Sequence, residues 1–256
     1  MKNLQDIETI QDILDTERDM ITLAERTYGN AFRNASEFND LLNNFLKEAK
    51  SEAWIFMLFL SQIKKHGTLA LFSIARLHHI QAMLNLRQVL EAGVNAAYGL
   101  AYPNEDDFII KQRDGTLDAS EILDGKRRKW IEKNHAKHST FIKKMKAAIN
   151  KSCAHSNMAY AFNNFSMADY KFHIPYFDKR EEHQIKADYW LIGNITLGLM
   201  DLFYGINRSV NRITFVDDFV VRLKKLEADN HALRDELRKH PRFNIFVPEL
   251  DKIHEQ

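Results

Sequence analysis

The sequence predicts an all-α protein, and three observations support this fold class. The 256 residues include only 9 glycines and 4 prolines, so few turns interrupt the chain. Leucine, alanine, lysine and glutamate, which favour helices, are abundant. Hydrophobic residues make up 45% of the chain, which supports a buried core and argues against general disorder. The length suits one large domain or one and a half smaller ones.

The N-terminal half is predicted to form three helices. Residues 3–28 have the periodicity of an amphipathic helix. A second helix is expected over residues 35–65, whose later part is apolar on most sides and is therefore expected to be buried on more than one face. The His-Gly-Thr sequence at residues 66–68 predicts a break. A long central helix is expected to follow over residues 68–101, and Pro103 stops it.

The C-terminal half is predicted to contain a loop and further helices. Residues 104–125 are polar and turn-rich, and we expect a loop there with at most one short helix. A basic helix is expected over residues 126–150, followed by a short one to residue 165. The aromatic-rich segment 166–182 is predicted to be a lid, a small hairpin or a loop that packs its own rings. A penultimate helix is expected over residues 184–212.

The most regular pattern in the chain lies in residues 216–240. Its core positions alternate in steps of three and four residues, which is the heptad of a two-stranded coiled coil. The predicted dimerisation residues are Leu223, Leu226, Asn230, Leu233 and Leu237. Asn230 occupies an a position, where a buried amide can pair with its twin and fix the register. The sequence therefore predicts a homodimer.

Flanking charges agree with a parallel pair of these helices. Arg222 would meet Glu227 of a second copy, and Asp229 would meet Arg234. The resulting domain organisation is a helical bundle over residues 1–213, a coiled-coil helix over 214–240 and a tail over 241–256. The alternative is that the heptad helix folds back onto residues 3–28, which have a heptad-like face of their own.

Charge is distributed unevenly along the chain, although the net charge is only +1. Residues 1–52 contain eleven acidic and six basic residues, whereas residues 123–155 contain ten lysines and arginines and two acidic residues. Such a basic block can bind a polyanion such as a nucleic acid. The candidate contacts are Lys126, Arg127, Arg128, Lys129, Lys133, Lys143, Lys144 and Lys151. The alternative is that the block complements the acidic N-terminal helices, in the same subunit or a partner.

Several classes of protein are disfavoured by the sequence. The single cysteine, Cys153, excludes a disulfide framework and a zinc site built on several cysteines. Glu132 and His135 form one Glu-x-x-His motif, but a di-iron bundle needs two, so we expect no metal and no cofactor. The apolar run 53–60 is shorter than the roughly 20 residues that span a bilayer. Residues 1–14 are acidic and polar, unlike a signal peptide, so we expect a cytoplasmic protein without a membrane segment.

Two pairs of residues distinguish the central helix. Arg87 and Glu91 are one turn apart among leucines and valines, so we expect both to be partly buried. They either form an internal ion pair or line a polar pocket near His155. Gly93 and Gly99 each cost a helix about 1 kcal/mol relative to alanine, which indicates close contact with neighbouring helices.

Residues 86–98, L-R-Q-V-L-E-A-G-V-N-A-A-Y, resemble the central helix of bacterial HEPN-like proteins of the DUF5677-type and abortive-infection-like branch, which carries the pattern L-R-x-x-x-E. Some fifty residues later, Ser152-Cys-Ala-His155 resembles the S-x-x-H turn of the same proteins. The resemblance covers roughly residues 52–212. It implies a HEPN-like helical bundle that forms dimers.

Active HEPN proteins are metal-independent ribonucleases with an Arg-x(4–6)-His motif. The resemblance therefore implies that His155 is a general acid or base, with Arg87 and Glu91 as further candidate catalytic residues. In this chain the motif is not intact at His155, because the corresponding upstream positions hold Ala148, Ile149 and Asn150.

The Arg-x(4–6)-His spacing occurs elsewhere in the chain, from Arg128 to His135 and from Arg234 to His240, at about the frequency that chance predicts. The resemblance accordingly implies an RNA-associated protein of a defence or toxin–antitoxin type more than a catalyst. The alternative function is a non-catalytic homodimeric scaffold or protein-interaction module.

Overall fold

The computed structural model describes residues 9–118, 120–153, 166–168, 171–173 and 176–241, and it confirms the all-α class. Within these ranges the chain forms eight α-helices. They are α1 (Ile10–Tyr28), α2 (Asn30–Asn44), α3 (Trp54–Ala75), α4 (His79–Ala101), α5 (Glu121–Asn134), α6 (Ala136–Cys153), α7 (Glu182–Val210) and α8 (Phe219–Arg238). None of these helices is both long and apolar enough to cross a membrane.

Three short antiparallel strand pairs connect the helices in the described ranges. The pairs are β1 (Leu46–Ala49) with β6 (Ile213–Phe215), β2 (Ile110–Lys111) with β3 (Leu117–Asp118), and β4 (Ser166–Ala168) with β5 (Lys171–His173). The first pair joins the connection between α2 and α3 to the connection between α7 and α8. Backbone hydrogen bonds from Lys50 to Arg212 and from Val216 to Phe45 extend that pairing at both ends.

Helix α7 lies at the centre of the bundle and packs against α1, α2, α3, α4, α6 and α8. Its buried positions cover most of its circumference, because side chains such as Tyr189, Ile195 and Phe203 are fully buried although they point in different directions. Two glycines make the close packing possible. A Cβ on Gly193 would lie 2.5 Å from Asn230 Oδ1, and one on Gly93 of α4 would lie 2.5 Å from Leu199 Cδ2.

The predicted close contacts of the central-helix glycines are therefore confirmed. Gly93 meets α7, and a Cβ on Gly99 would lie 2.6 Å from Ile55 Cγ2 of α3. Since side chains at these positions would push the helices apart, the cost of glycine within a helix is offset by tighter packing.

The predicted helix boundaries in the N-terminal half are partly wrong. The expected helix over 35–65 is interrupted by β1, and the expected break at 66–68 lies inside α3, where Gly67 instead gives Leu42 room to pack. The real break between α3 and α4 is at Leu77, which has a φ of 58°. The His78 N–H donates to the Ser73 carbonyl across this residue, which ends α3 in a Schellman-type turn.

The basic helix predicted over 126–150 is also two helices. Helix α5 ends at Asn134, the non-helical backbone of His135 forms the turn, and α6 begins at Ala136. The polar segment before α5 contains a single-turn 3-10 helix (Glu105–Asp107) and the β2–β3 hairpin. The small-hairpin prediction for 166–182 matches β4 and β5, whereas most of the short helix predicted over 151–165 lies outside the described residues.

The heptad face of α8 packs inside its own chain, which corrects its assignment as a dimerisation surface. Leu226, Asn230, Leu233 and Leu237 are each at most 6% exposed, and they pack against α2 and α7. Leu223 is partly buried against the same core. Because this face already belongs to the core of one subunit, a second copy of the helix has no access to it.

The predicted partners of the α8 polar residues change accordingly. Asn230 accepts a hydrogen bond from Asn34 Nδ2 of α2 at 3.1 Å instead of pairing with its twin. Arg222 forms an ion pair with Asp40 of α2 at 2.7 Å, where a coiled coil would have given it Glu227 of a second copy. The helix does fold back, but onto α2 and α7 rather than onto the first helix. A homodimer stays a prediction without an assigned surface.

Substitution of Gly193 by alanine tests the close packing of α7. The new Cβ would collide with Asn230 Oδ1 and with the Phe38 ring, so Gly193→Ala is expected to lower the free energy of unfolding by about 1–2 kcal/mol despite the better helix propensity of alanine. The matched control is Gly205→Ala in the same helix. Apart from the local backbone of the helix and the adjacent residues, no atom lies within 4 Å of the position that a Cβ would take there, and a gain of about 0.5–1 kcal/mol is expected. Urea unfolding measures both, and a Gly193→Ala protein as stable as the control would contradict the packing.

Candidate nucleic-acid interface

Helices α5 and α6 carry all eight basic residues that were predicted as nucleic-acid contacts. Helix α5 packs against α4 and α6, and α6 packs against α4, α5 and α7. One face of α6 is buried through Phe141, Ile142, Met145 and Ile149. The remaining positions of α6 include five lysines and no acidic residue, so this helix adds a dense positive charge to the surface.

Four of the eight predicted contacts already have acidic or carbonyl partners. Lys126 forms an ion pair with Asp107, Lys143 with Glu132 at 2.8 Å, and Arg128 with Asp124. Arg127 is the fourth. The three ion pairs are solvent-exposed on their basic side, so each of these side chains can exchange its partner at a small cost in stability.

Arg127 was predicted to contact nucleic acid, and the structure corrects this assignment. The residue is only 6% exposed, and its guanidinium lies 4.9 Å from the centre of the Phe108 ring. It donates to Asn95 Oδ1, to the Asp107 carbonyl and to Asp124 Oδ1 at 2.6–3.0 Å. A side chain with this many internal hydrogen bonds holds α5 against α4 and cannot reach a phosphate.

Two of the other predicted contacts, Lys144 and Lys151, form a row with Lys137 on α6, and we call these three residues the lysine stripe. These residues recur every seven positions on α6, so they lie along one side of the helix over about 21 Å. None forms an ion pair with a carboxylate in the described part of the chain. Lys137 has only a longer-range electrostatic interaction with Asp201. Lys129 and Lys133 on α5 are exposed and have no carboxylate partner among the described residues.

The acidic residues of the N-terminal helices do not neutralise this stripe within the subunit. Glu37 of α2 pairs with Lys225 of α8 at 3.1 Å, as Asp40 does with Arg222. Glu17 of α1 binds Arg76 and His78 at the turn between α3 and α4. The intramolecular form of the alternative interpretation is therefore wrong for the described residues, because the acidic face of α2 is paired with α8.

Arg87 and Glu91 form the predicted internal ion pair, at 3.3 Å between Nε and Oε1. Two residues of α6 join them: Lys146 lies 2.8 Å from Glu91 Oε1, and Arg87 Nη1 donates to Asn150 Oδ1 at 3.0 Å. The network connects α4 to α6. Both members of the central pair are about one third exposed, at 34% and 33%.

A cavity of about 550 Å³ lies beside this network on α4. Its lining includes Arg87 and Glu91, with Ile80, Gln81, Leu84, Asn85 and Gln88. Arg87 and Glu91 therefore line a cavity, whereas the polar pocket predicted near His155 stays a prediction. His155, the third candidate catalytic residue, lies outside the described residues, so the structure does not place it relative to this cavity.

The electrostatics of the network favour the ionised form of Glu91. Burial opposes ionisation of the carboxyl group, but the hydrogen bonds and charges of Lys146 and Arg87 outweigh it, so the pKa of Glu91 is lowered. Arg87 is thus held by one carboxylate and one amide. These contacts use two of the five N–H donors of the guanidinium.

The two chance matches to the Arg-x(4–6)-His spacing do not form a paired site. Arg128 is bound by Asp124, whereas His135 packs on Trp130 with the ring centres 5.2 Å apart. Arg234 is bound by Asp235, and His240 stacks on His183 at 3.8 Å. Among the described residues, no group of three or more histidine, cysteine, aspartate and glutamate side chains is arranged to hold a metal ion.

Sequence reasoning missed the roles of Lys146 and Asn150, and it left Lys137 out of the candidate contacts. The seven-residue spacing of Lys137, Lys144 and Lys151 is a signal that could have identified the stripe. The contacts of Lys146 and Asn150 with Glu91 and Arg87 have no such signal, because they depend on how α6 packs on α4.

No protein-family model, curated protein or solved structure matches this chain. The resemblance to HEPN-like proteins consequently rests on the motif residues at 86–98 and 152–155. The helical content agrees with it, but many unrelated folds are all-α, so the HEPN-like assignment stays a prediction.

Substitution Glu91→Gln tests the network. At neutral pH it should lower the free energy of unfolding by about 1 kcal/mol, since a partly exposed pair contributes modestly. The folded-state pKa of Glu91 is lowered, so its contribution is present above the unfolded pKa of about 4.3 and is lost as the pH falls through the folded value. The difference from wild type should therefore disappear in acid.

The matched control is Glu227→Gln on α8, because Glu227 is exposed and has no ion pair in the described part of the chain. Its effect should stay within about 0.5 kcal/mol at every pH. Chemical unfolding across a pH series measures both variants. A Glu91→Gln effect that is absent at neutral pH, or that grows in acid, would contradict the network.

Proposed function

We propose that this protein binds RNA through the lysine stripe of α6 and the neighbouring lysines of α5. The observation that supports the proposal is a set of lysines without carboxylate partners in the described residues. Lys137 and Lys151 are exposed and Lys144 is half-buried, and their helix α6 contains no acidic residue. Such lysines add nothing to the internal ion-pair network. A row of point charges along one side of a helix suits the evenly spaced phosphates of a nucleic-acid backbone.

The proposal concerns binding and does not include a ribonuclease step. Arg87 is engaged by Glu91 and Asn150, and the arginine of the Arg-x(4–6)-His motif is absent before His155. The resemblance to HEPN-like proteins extends the proposal to a defence or toxin–antitoxin setting, in which binding of RNA without cleavage is sufficient for sequestration.

Neutralisation of the stripe tests the proposal. A Lys137→Gln, Lys144→Gln, Lys151→Gln triple variant should bind single-stranded RNA more weakly, because each neutralised phosphate releases counterions on binding. The slope of log Kd against log salt concentration should fall by about 2 relative to wild type, as expected for three lost contacts to a single strand. Fluorescence anisotropy with a labelled RNA at several salt concentrations measures this.

The matched control removes the same charge elsewhere, with Lys65→Gln, Lys224→Gln and Lys239→Gln, three exposed lysines without ion pairs in the described part. This variant should keep the wild-type slope to within about 0.5, since its lysines contact no phosphate. Equal effects of the two variants would mean that RNA binding depends on net charge alone and not on the lysine stripe. Absence of RNA binding by the wild type at low salt would overturn the proposal and favour the scaffold alternative.

A further inference from the structure

A cluster of aromatic rings lies where α4 and α5 end, and we call Tyr102, Trp130 and His135 the ring cluster. Trp130 is at its centre, with its ring 5.8 Å from that of Tyr102 at 89° and 5.2 Å from that of His135. Burial, and secondarily the nearby His138, lower the pKa of His135, so its ring is neutral at physiological pH. Tyr102 is 50% exposed, which leaves a large part of its ring in contact with solvent.

Tyr102 is held firmly although it is exposed. It caps the C-terminus of α4, and its N–H donates to the Tyr98 carbonyl at 2.7 Å. Arg212 Nη1 donates to the carbonyls of Leu100 and Ala101 at 2.6 and 2.7 Å, which fixes the last turn of the helix. The Tyr102 ring also packs on the Tyr98 ring at 5.3 Å. An exposed aromatic ring on a rigid support loses little conformational entropy when a ligand stacks on it.

Lysines flank the ring cluster on α5. Lys126 is four residues before Trp130 and Lys133 is three residues after it, so both lie beside the Trp130 ring on the helix surface. Lys126 also binds Asp107, which accepts the Tyr98 hydroxyl hydrogen bond at 2.8 Å. Lys133 has no carboxylate partner among the described residues. Both lysines therefore lie within one turn of Trp130, whose ring contacts the exposed ring of Tyr102.

We infer that the ring cluster binds an unpaired nucleobase of single-stranded RNA, which stacks on Tyr102, while Lys133 and Lys126 bind the adjoining phosphates. This inference rests on the proposed function and adds its substrate class. Base stacking on aromatic side chains and lysine contacts to the backbone are the two components of single-strand recognition. A duplex keeps its bases stacked internally, so it can use the lysine stripe but not the ring cluster.

Substitutions of Tyr102 test this inference. Tyr102→Ala removes the ring and should weaken binding of a short single-stranded RNA by about 5- to 100-fold. Tyr102→Phe keeps the ring face and should bind within about 2-fold of wild type. Binding of a duplex of the same sequence should be unchanged in both variants, because it uses phosphate contacts alone.

A second readout reports stacking directly. The fluorescence of 2-aminopurine placed in the single strand should be quenched on binding to wild type and to Tyr102→Phe, and quenching should be lost with Tyr102→Ala. A merely structural role of Tyr102 would not give this pattern. It would weaken single-strand and duplex binding together and would also appear as a lower thermal stability.

The outcomes separate this inference from the proposed function. If wild type binds RNA in a way that depends on the lysine stripe, but Tyr102→Ala binds the single strand normally, only the ring cluster inference is overturned. Loss of duplex and single-strand binding together in Tyr102→Ala also overturns it. If the wild-type protein binds neither the single strand nor the duplex, the proposed function fails. The exposed ring cluster is then better explained as a contact surface for a protein.

Discussion

The close approach of α7 to its neighbours is the constraint on which the rest of the structure depends. Without a side chain at Gly193, α7 can lie against Phe38 of α2 and Asn230 of α8 at the same time. This brings α2 and α8 together, so that Asn34 and Asn230 meet and the acidic residues of α2 pair with the basic residues of α8. Helices α5 and α6 pack on α4 instead, and among the described residues their lysines form no ion pair with those carboxylates.

The helical class and several local contacts could be predicted from the sequence, whereas the partner of each surface could not. The heptad of α8 correctly indicated a buried face. Periodicity does not distinguish burial against a second copy from burial against the same chain, and the structure places α2 and α7 there. Asn230 fits either environment, because an amide needs only another polar group and Asn34 provides one.

Helix boundaries failed where the backbone departs from the usual sequence signals. A Schellman-type turn normally has glycine in the left-handed position, but here it has Leu77, so nothing in the sequence marks the end of α3. Gly67 looked like a break because glycine disfavours helices, yet it is retained inside α3 to accommodate Leu42. At the candidate site, charge alone could not distinguish the buried Arg127 from the accessible lysines. The exposure of Tyr102 could not be predicted from the sequence either, because it depends on where α4 ends.

The chemical reactivity of individual lysines tests most directly whether RNA binds to α6. An amine-reactive reagent applied to the intact protein with and without RNA, followed by mass spectrometry, reports which side chains the RNA covers. RNA should protect Lys137, Lys144 and Lys151, while Lys65 of α3, Lys224 of α8 and Lys239 just after α8 should react as before. Protection of those other lysines, with no change along the lysine stripe, would contradict an RNA-binding surface on α6.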